Sequence, residues 1–136
     1  MRFDTKLAVV LRDDLAVWQK LNVTAFLVSG IAATVPDVVG PAYEDASGQQ
    51  YLPMFVQPVL VFSANAEQLR VAFERACVSD TACAIFSEEL FATGYDEANR
   101  AAVQAIATNN LNLVGMAFRT DRKAADKIVK GLSLHP

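Results

Sequence analysis

The stretch from Phe3 to Ala33 restricts this chain more than any other: an apolar strand, a charged corner and an apolar helical segment follow one another without a break. Leu7-Ala8-Val9-Val10-Leu11 is the centre of a strand expected over about Phe3 to Leu11, because a short continuous apolar run suits a strand covered on both faces. Arg12-Asp13-Asp14 forms the corner. From Leu15 to Ala33 the spacing predicts a helix on which Leu15, Val17, Leu21, Val23, Phe26, Leu27, Val28 and Ile31 leave no broad polar face. Such a helix is expected to be buried on nearly all sides. A strand and a helix this apolar need a sheet beneath and a cover above, which selects an α/β architecture. A loop or a second subunit would supply the cover, so a homodimer is expected.

Composition points the same way. Hydrophobic residues make up 53% and charged residues 20% of the 136 residues, richer in apolar groups than an average soluble domain. The net charge of −3 disfavours nucleic acid, tRNA included, as a bulk partner, since proteins that grip phosphate backbones carry a basic excess. Asp4 sits where a secretory signal would be basic, and the apolar run Val23 to Thr34 stops before Pro36, short of the ~20 residues that cross a bilayer. The expected location is cytoplasmic, with no membrane partner. Cys77 and Cys83 have no third ligand nearby, and the only histidine, His135, lies at the chain's end. No metal set, cofactor signature, glycine-rich phosphate loop or Ser-His-Asp arrangement is indicated, and the thiols read as structural.

The rest of the chain punctuates itself clearly. Pro36 ends the helix, and Ala42 to Met54 reads as a hairpin around Asp45-Ala46-Ser47-Gly48, flanked by Tyr43 and Tyr51. Pro58 to Phe62 is an apolar run expected to be an interior strand. Ser63-Ala64-Asn65 caps a helix from about Ala66 to Cys77. A strand from Thr81 to Phe86 leads into Ser87-Glu88-Glu89 at the start of a helical turn. A helix from Asp96 to Ile106, a turn at Thr108-Asn109-Asn110 and a strand from Leu111 to Phe118 follow. Thr120 caps a closing helix whose inner face carries Ala124, Ala125, Ile128, Val129 and Leu132 and whose opposite face carries Arg119, Lys123, Lys127 and Lys130. The order β-α-(hairpin)-β-α-β-α-β-α implies one three-layer α/β domain, residues 1–136, with a mixed, mostly parallel sheet of four to five strands.

The chemistry concentrates at the first corner, because ligands in α/β proteins bind at the carboxyl ends of strands. One of Asp13 and Asp14 would cap the first helix; a free carboxylate there could instead hold a ligand amine, and Arg12 an anion. Lys20 and Thr24 share a helical face. In so apolar a helix Lys20 either snorkels outward or lines a pocket, where it could serve as base or nucleophile. Trp18 and Asn22, one turn apart, could form a second wall. Glu88 and Glu89 suit a helix N-terminus without further purpose, and one of them could reach the same end of the sheet as Asp14. The candidate catalytic residues are Lys20, as base or anion holder, and Asp14, as its charged partner. Arg12, Thr24, Asn22 and Glu88 are candidate ligand contacts.

The stretches TKLAVVLRDDLAVWQKLNVTAFLVSGIA, GPAYEDASGQQYLPM, QPVLVF, EELFATGYDEANRAAV and DKIVKGLSLHP resemble a bacterial family known only as a domain of unknown function, family two thousand. The resemblance covers essentially the whole chain and implies no activity. More remotely, the plan is similar to type II peptidyl-tRNA hydrolases, whose first strand ends in an Arg-x-Asp-Leu corner before a Gly-Lys helix start. Arg12, Asp14, Leu15 and Lys20 can be laid on that pattern with one residue dropped. Gln19 stands where that family has glycine, Thr24 and Leu27 fall at about its glutamine and histidine, and SEELFATG has no clear equal of its Asp-Ala-Gly segment. The resemblance implies the hydrolase-type fold. The function expected first is small-molecule binding or catalysis on an unknown substrate at the corner. Peptidyl-tRNA hydrolysis and a non-catalytic homodimeric interaction domain are the alternatives.

Overall fold

A computed structural model describes residues 2–136. Seven strands and four α-helices follow in the order β1 (Thr5–Arg12), α1 (Val17–Thr34), β2 (Tyr43–Glu44), β3 (Gln50–Tyr51), β4 (Val59–Ala64), α2 (Ala66–Val78), β5 (Cys83–Ser87), α3 (Asp96–Gln104), β6 (Leu113–Asp121), α4 (Arg122–Ile128) and β7 (Ser133–Leu134). Single 3-10 turns occupy Glu88–Ala92 and Thr108–Asn110. Five strands form one sheet in the order β5-β6-β1-β4-β7, and β2-β3 is the separate hairpin foreseen around Asp45–Gly48.

Alternation along β1 divides its side chains between two cores. Leu7, Val9 and Leu11 pack with the α1 residues Val23, Leu27 and Ile31. Ala8 and Val10 pack with Leu69, Ala72 and Phe73 of α2 and with Ala125 and Ile128 of α4. The helices therefore sandwich the sheet. Local signals placed α2 well: Asn65 Oδ1 accepts from Gln68 N at 2.8 Å, and Gln68 Oε1 accepts from Asn65 N at 2.9 Å, a reciprocal capping box. Gly115 on β6 meets α1 so closely that a Cβ would lie 2.8 Å from Val23 Cγ1.

The sheet is mixed as expected, but it is mostly antiparallel. Only β1 and β4 run parallel; β1/β6, β5/β6 and β4/β7 are antiparallel. The reason lies between β5 and β6. Glu88 N donates to Asn112 O at 2.8 Å, so residues 88–112 leave and re-enter the sheet at one point. The helix α3 lies on that excursion and does not carry the chain back to the other end of the sheet, as a parallel connection requires.

Four local expectations also change. The helix α1 is not buried all round: Val17 is 74% exposed, Leu21 68%, Trp18 62% and Phe26 55%, because one sheet face covers only one stripe of a helix. Neither Asp13 nor Asp14 caps it. The N-cap is Ala16, whose backbone N–H is taken by Gln19 Oε1 at 2.9 Å. The strand β4 is half-buried along most of its length, since its outer neighbour β7 has only two residues. Asp121, not Thr120, caps α4, with Oδ1 accepting from Ala124 N at 2.9 Å.

Candidate functional site

Three of the six singled-out residues converge at the carboxyl end of β1. The Arg12 side chain is 17% exposed, and its Nε donates to Asp14 Oδ1 at 2.5 Å. Its Nη1 lies 3.7 Å from Glu88 Oε2, which arrives from the turn after β5. Both carboxylates are largely exposed, so each pair adds at most about 1 kcal/mol. The cluster is an oriented rim with a net negative charge rather than a stability element.

Lys20 is held elsewhere. Its Nζ lies 3.1 Å from His135 Nε2, and it forms no ion pair with a carboxylate among the described residues. Asp14 is thus partner to Arg12 and not to Lys20. His135 Nδ1 lies 2.9 Å from Pro136 O. The Pro136 oxygen can only accept, so Nδ1 is the donor there and Nε2 faces the lysine ammonium. Lys20 is half-buried, and two of its three N–H groups have no protein acceptor among the described residues.

Sequence reasoning set His135 aside because it lies at the chain's end, 115 positions from Lys20. Nothing local connects them. The link is β7, which pairs Phe62 with Leu134 and lets His135 N donate to Val61 O at 2.8 Å. Thr24 does share the lysine's side of α1, but its hydroxyl donates to Lys20 O at 2.8 Å and so serves the helix backbone.

Trp18 and Asn22 form no second wall beside Lys20. Residues two apart on a helix point about 200° apart, which sends Asn22 to the opposite flank. There Trp18, Asn22 and Phe26 face the Leu90, Phe91, Thr93 and Asn99 side chains across a cleft of about 350 Å3. Neither Lys20 nor the Arg12 cluster lines it. Around the end of β5 lie Ser87 Oγ and Glu89 Oε2, side-chain polar atoms buried without a hydrogen-bond partner among the described residues. Asn112 Nδ2 donates to Glu89 Oε1 at 2.7 Å. That bond, aided by the residue's own backbone N–H, holds the Glu89 carboxyl below the usual glutamate range.

The remaining chemistry is quiet. Cys77 and Cys83 are free. Burial, and secondarily the neighbouring Cys77, pushes the Cys83 thiol up, away from the reactive thiolate. Among the described residues no group of three or more His, Cys, Asp or Glu side chains is placed to hold a metal ion, and no helix is long and apolar enough to cross a membrane.

The family model described as "Protein of unknown function (DUF2000)" matches residues 5–136, from β1 to beyond β7. The chain belongs to the DUF2000 family. A solved structure of a protein of unknown function from Agrobacterium tumefaciens strain C58 is 49% identical and superposes with a TM-score of 0.96. The match covers 99% of this chain and 100% of that one. No curated protein matches the chain. The whole fold, the corner and its β7 flank included, is therefore that of a DUF2000 protein.

Proposed function

We propose that this DUF2000 protein binds a small anionic or carbonyl-bearing molecule at the first strand–helix corner, and that Lys20 is its central contact. The Lys20–His135 pair carries this reading. A half-buried ammonium whose protein partner is an imidazole nitrogen, not a carboxylate, keeps two N–H groups for a ligand oxygen. Arg12, Asp14 and Glu88 form a separate charged cluster at the carboxyl end of β1, which contributes only to a ligand that reaches beyond Lys20. Asn22 contributes from the other flank of α1 only to a ligand long enough to round the helix.

The test is thermal stabilisation by small carboxylates, phosphate esters and keto acids in wild type, Lys20→Ala and His135→Asn. A molecule that binds only the folded state raises Tm by mass action. A stabilising ligand lost in Lys20→Ala and weakened in His135→Asn is the expected result. Equal stabilisation of all three proteins would remove Lys20 from the site.

One observation favours a second reading. The outward stripe of α1 sets Val17, Leu21 and Trp18 in solvent, and a contiguous exposed apolar patch marks an interaction surface. A homodimeric interaction domain joined through α1 accounts for it. Light scattering on wild type and Leu21→Lys checks this reading: a dimer that becomes a monomer supports it, and a wild-type monomer removes it. The hydrolase-like reading has a narrower basis: Lys123, Lys127 and Lys130, with Arg75, border a groove between α2 and α4. Salt-sensitive retention of tRNA that depends on those lysines would sustain it.

A further inference from the structure

We infer that the cleft between α1 and residues 90–99 is a binding site for a planar, uncharged nitrogen heteroaromatic ring. It lies on the flank of α1 away from Lys20 and does not depend on the ligand proposed for that lysine.

Its walls are aromatic and already ordered. Trp18 packs edge-on to Phe91 at 6.1 Å between ring centroids, Phe26 edge-on to Phe86 at 5.8 Å, and Phe86 against Phe91 at 5.2 Å. Edge-to-face packing uses one edge or face of each ring, so Trp18 and Phe26 still present apolar surface to solvent; they are 62% and 55% exposed. A flat ring entering the cleft gains stacking and covers both. The volume of about 350 Å3 lies at the small end of the range for small-molecule sites, roughly 300–1,000 Å3.

The polar groups set the class of ring. Asp96 is the charged residue lining the cleft, and Arg100 Nε already donates to its Oδ2 at 2.8 Å, so the site offers no unmatched charge. Two primary amides and the Tyr95 hydroxyl remain. The Asn22 side chain makes no hydrogen bond with the protein among the described residues. Asn99 touches Thr93 Oγ1, which also lies 3.0 Å from Leu90 O. Asn99 Oδ1 accepts from Thr93 Oγ1, so the Asn99 amide keeps its NH2 group for a ligand acceptor. Asn22 supplies a further donor and acceptor. Nitrogen heterocycles present adjacent donors and acceptors on their edges, which is the pattern asparagine amides read on bases.

The chain has one tryptophan, and it stands in this cleft, so its emission reports occupancy directly. Titration with adenosine, inosine, cytidine and nicotinamide should give saturable quenching or a shift with at least one ring, and none with cyclohexanecarboxamide, which keeps an amide but lacks a ring. Equilibrium dialysis of the same probes covers a ring that binds without altering the emission. Asn22→Leu and Asn99→Leu should each weaken the responsive probe by about tenfold, with thermal melts showing that the variants remain folded. No saturable binding of any ring by either method would overturn the inference. So would affinity left unchanged in both asparagine variants, or equal response to the saturated amide.

Discussion

The two flanks of α1 differ in what assembled them. On one flank, Asn22, Trp18 and Phe26 meet the turn after β5 and form an aromatic cleft with amides at its mouth. On the other, Lys20 meets His135 and stays in a polar, water-facing contact. The same buried stripe, Val23, Leu27 and Ile31, anchors both. Side chains only two positions apart thus serve separate chemistry, because a helix turns about 100° per residue. Closeness in sequence on a helix is not closeness in space, and a charged residue beside an amide need not share its ligand.

The largest test of that shared anchor is Leu27→Ala, since Leu27 is 2% exposed under both flanks. Emptying such a site costs about 2–5 kcal/mol, read as a lower urea midpoint, with the Lys20 ligand and the Trp18 probe both affected. A loss below about 1 kcal/mol would mean that the flanks are anchored separately. Gly115→Ala should come next, at about 1–3 kcal/mol, because its methyl would lie 2.8 Å from Val23 Cγ1 and 3.1 Å from Leu27 Cδ1. Denaturant titration that shows no loss would mean that α1 shifts freely on the sheet.

The smallest effect separates the flanks by pH. Glu89, on the β5 side, is held below its ordinary value of 4.5 by the Asn112 amide. A depressed carboxylate contributes stability above its unfolded pKa and loses it as pH falls through the folded value. Asn112→Ala should therefore move the Glu89 titration upward in NMR. The difference in stability between the two proteins should appear near neutral pH and fade as the medium is acidified below 4.5. An unmoved Glu89 resonance would assign its depression to other groups.

Local chemistry made much of this legible in advance. The Asn65–Gln68 capping box and the Asp45–Gly48 turn each act within a few residues, and α2 and the hairpin lie where those residues indicate. The corner was legible too: Arg12 and Asp14 are two positions apart in the chain, and Glu88 follows a strand that runs in the direction of β1, so all three reach one end of the sheet. The cap of α1 was misread because an aspartate before a helix is a strong cap only if the helix starts next to it. Here the chain continues through Leu15 and Ala16 before Val17. The exposure of Val17 and Leu21 was misread because apolarity shows what a side chain gains from burial, not whether a neighbour exists to bury it.

By itself, the sequence determined the elements that depend on short-range forces: an apolar strand, a charged corner, an apolar helix and turns with their required residues. Lys20 and Asn22 were expected at one site, although the helical repeat sends them to opposite flanks. Only the tertiary structure decided that residues 88–112 return to their own starting point and make β6 antiparallel. It alone brought His135 to Lys20 through β7. Both outcomes depend on which distant strands pair, and backbone hydrogen bonds between strands carry no residue label for the sequence to display.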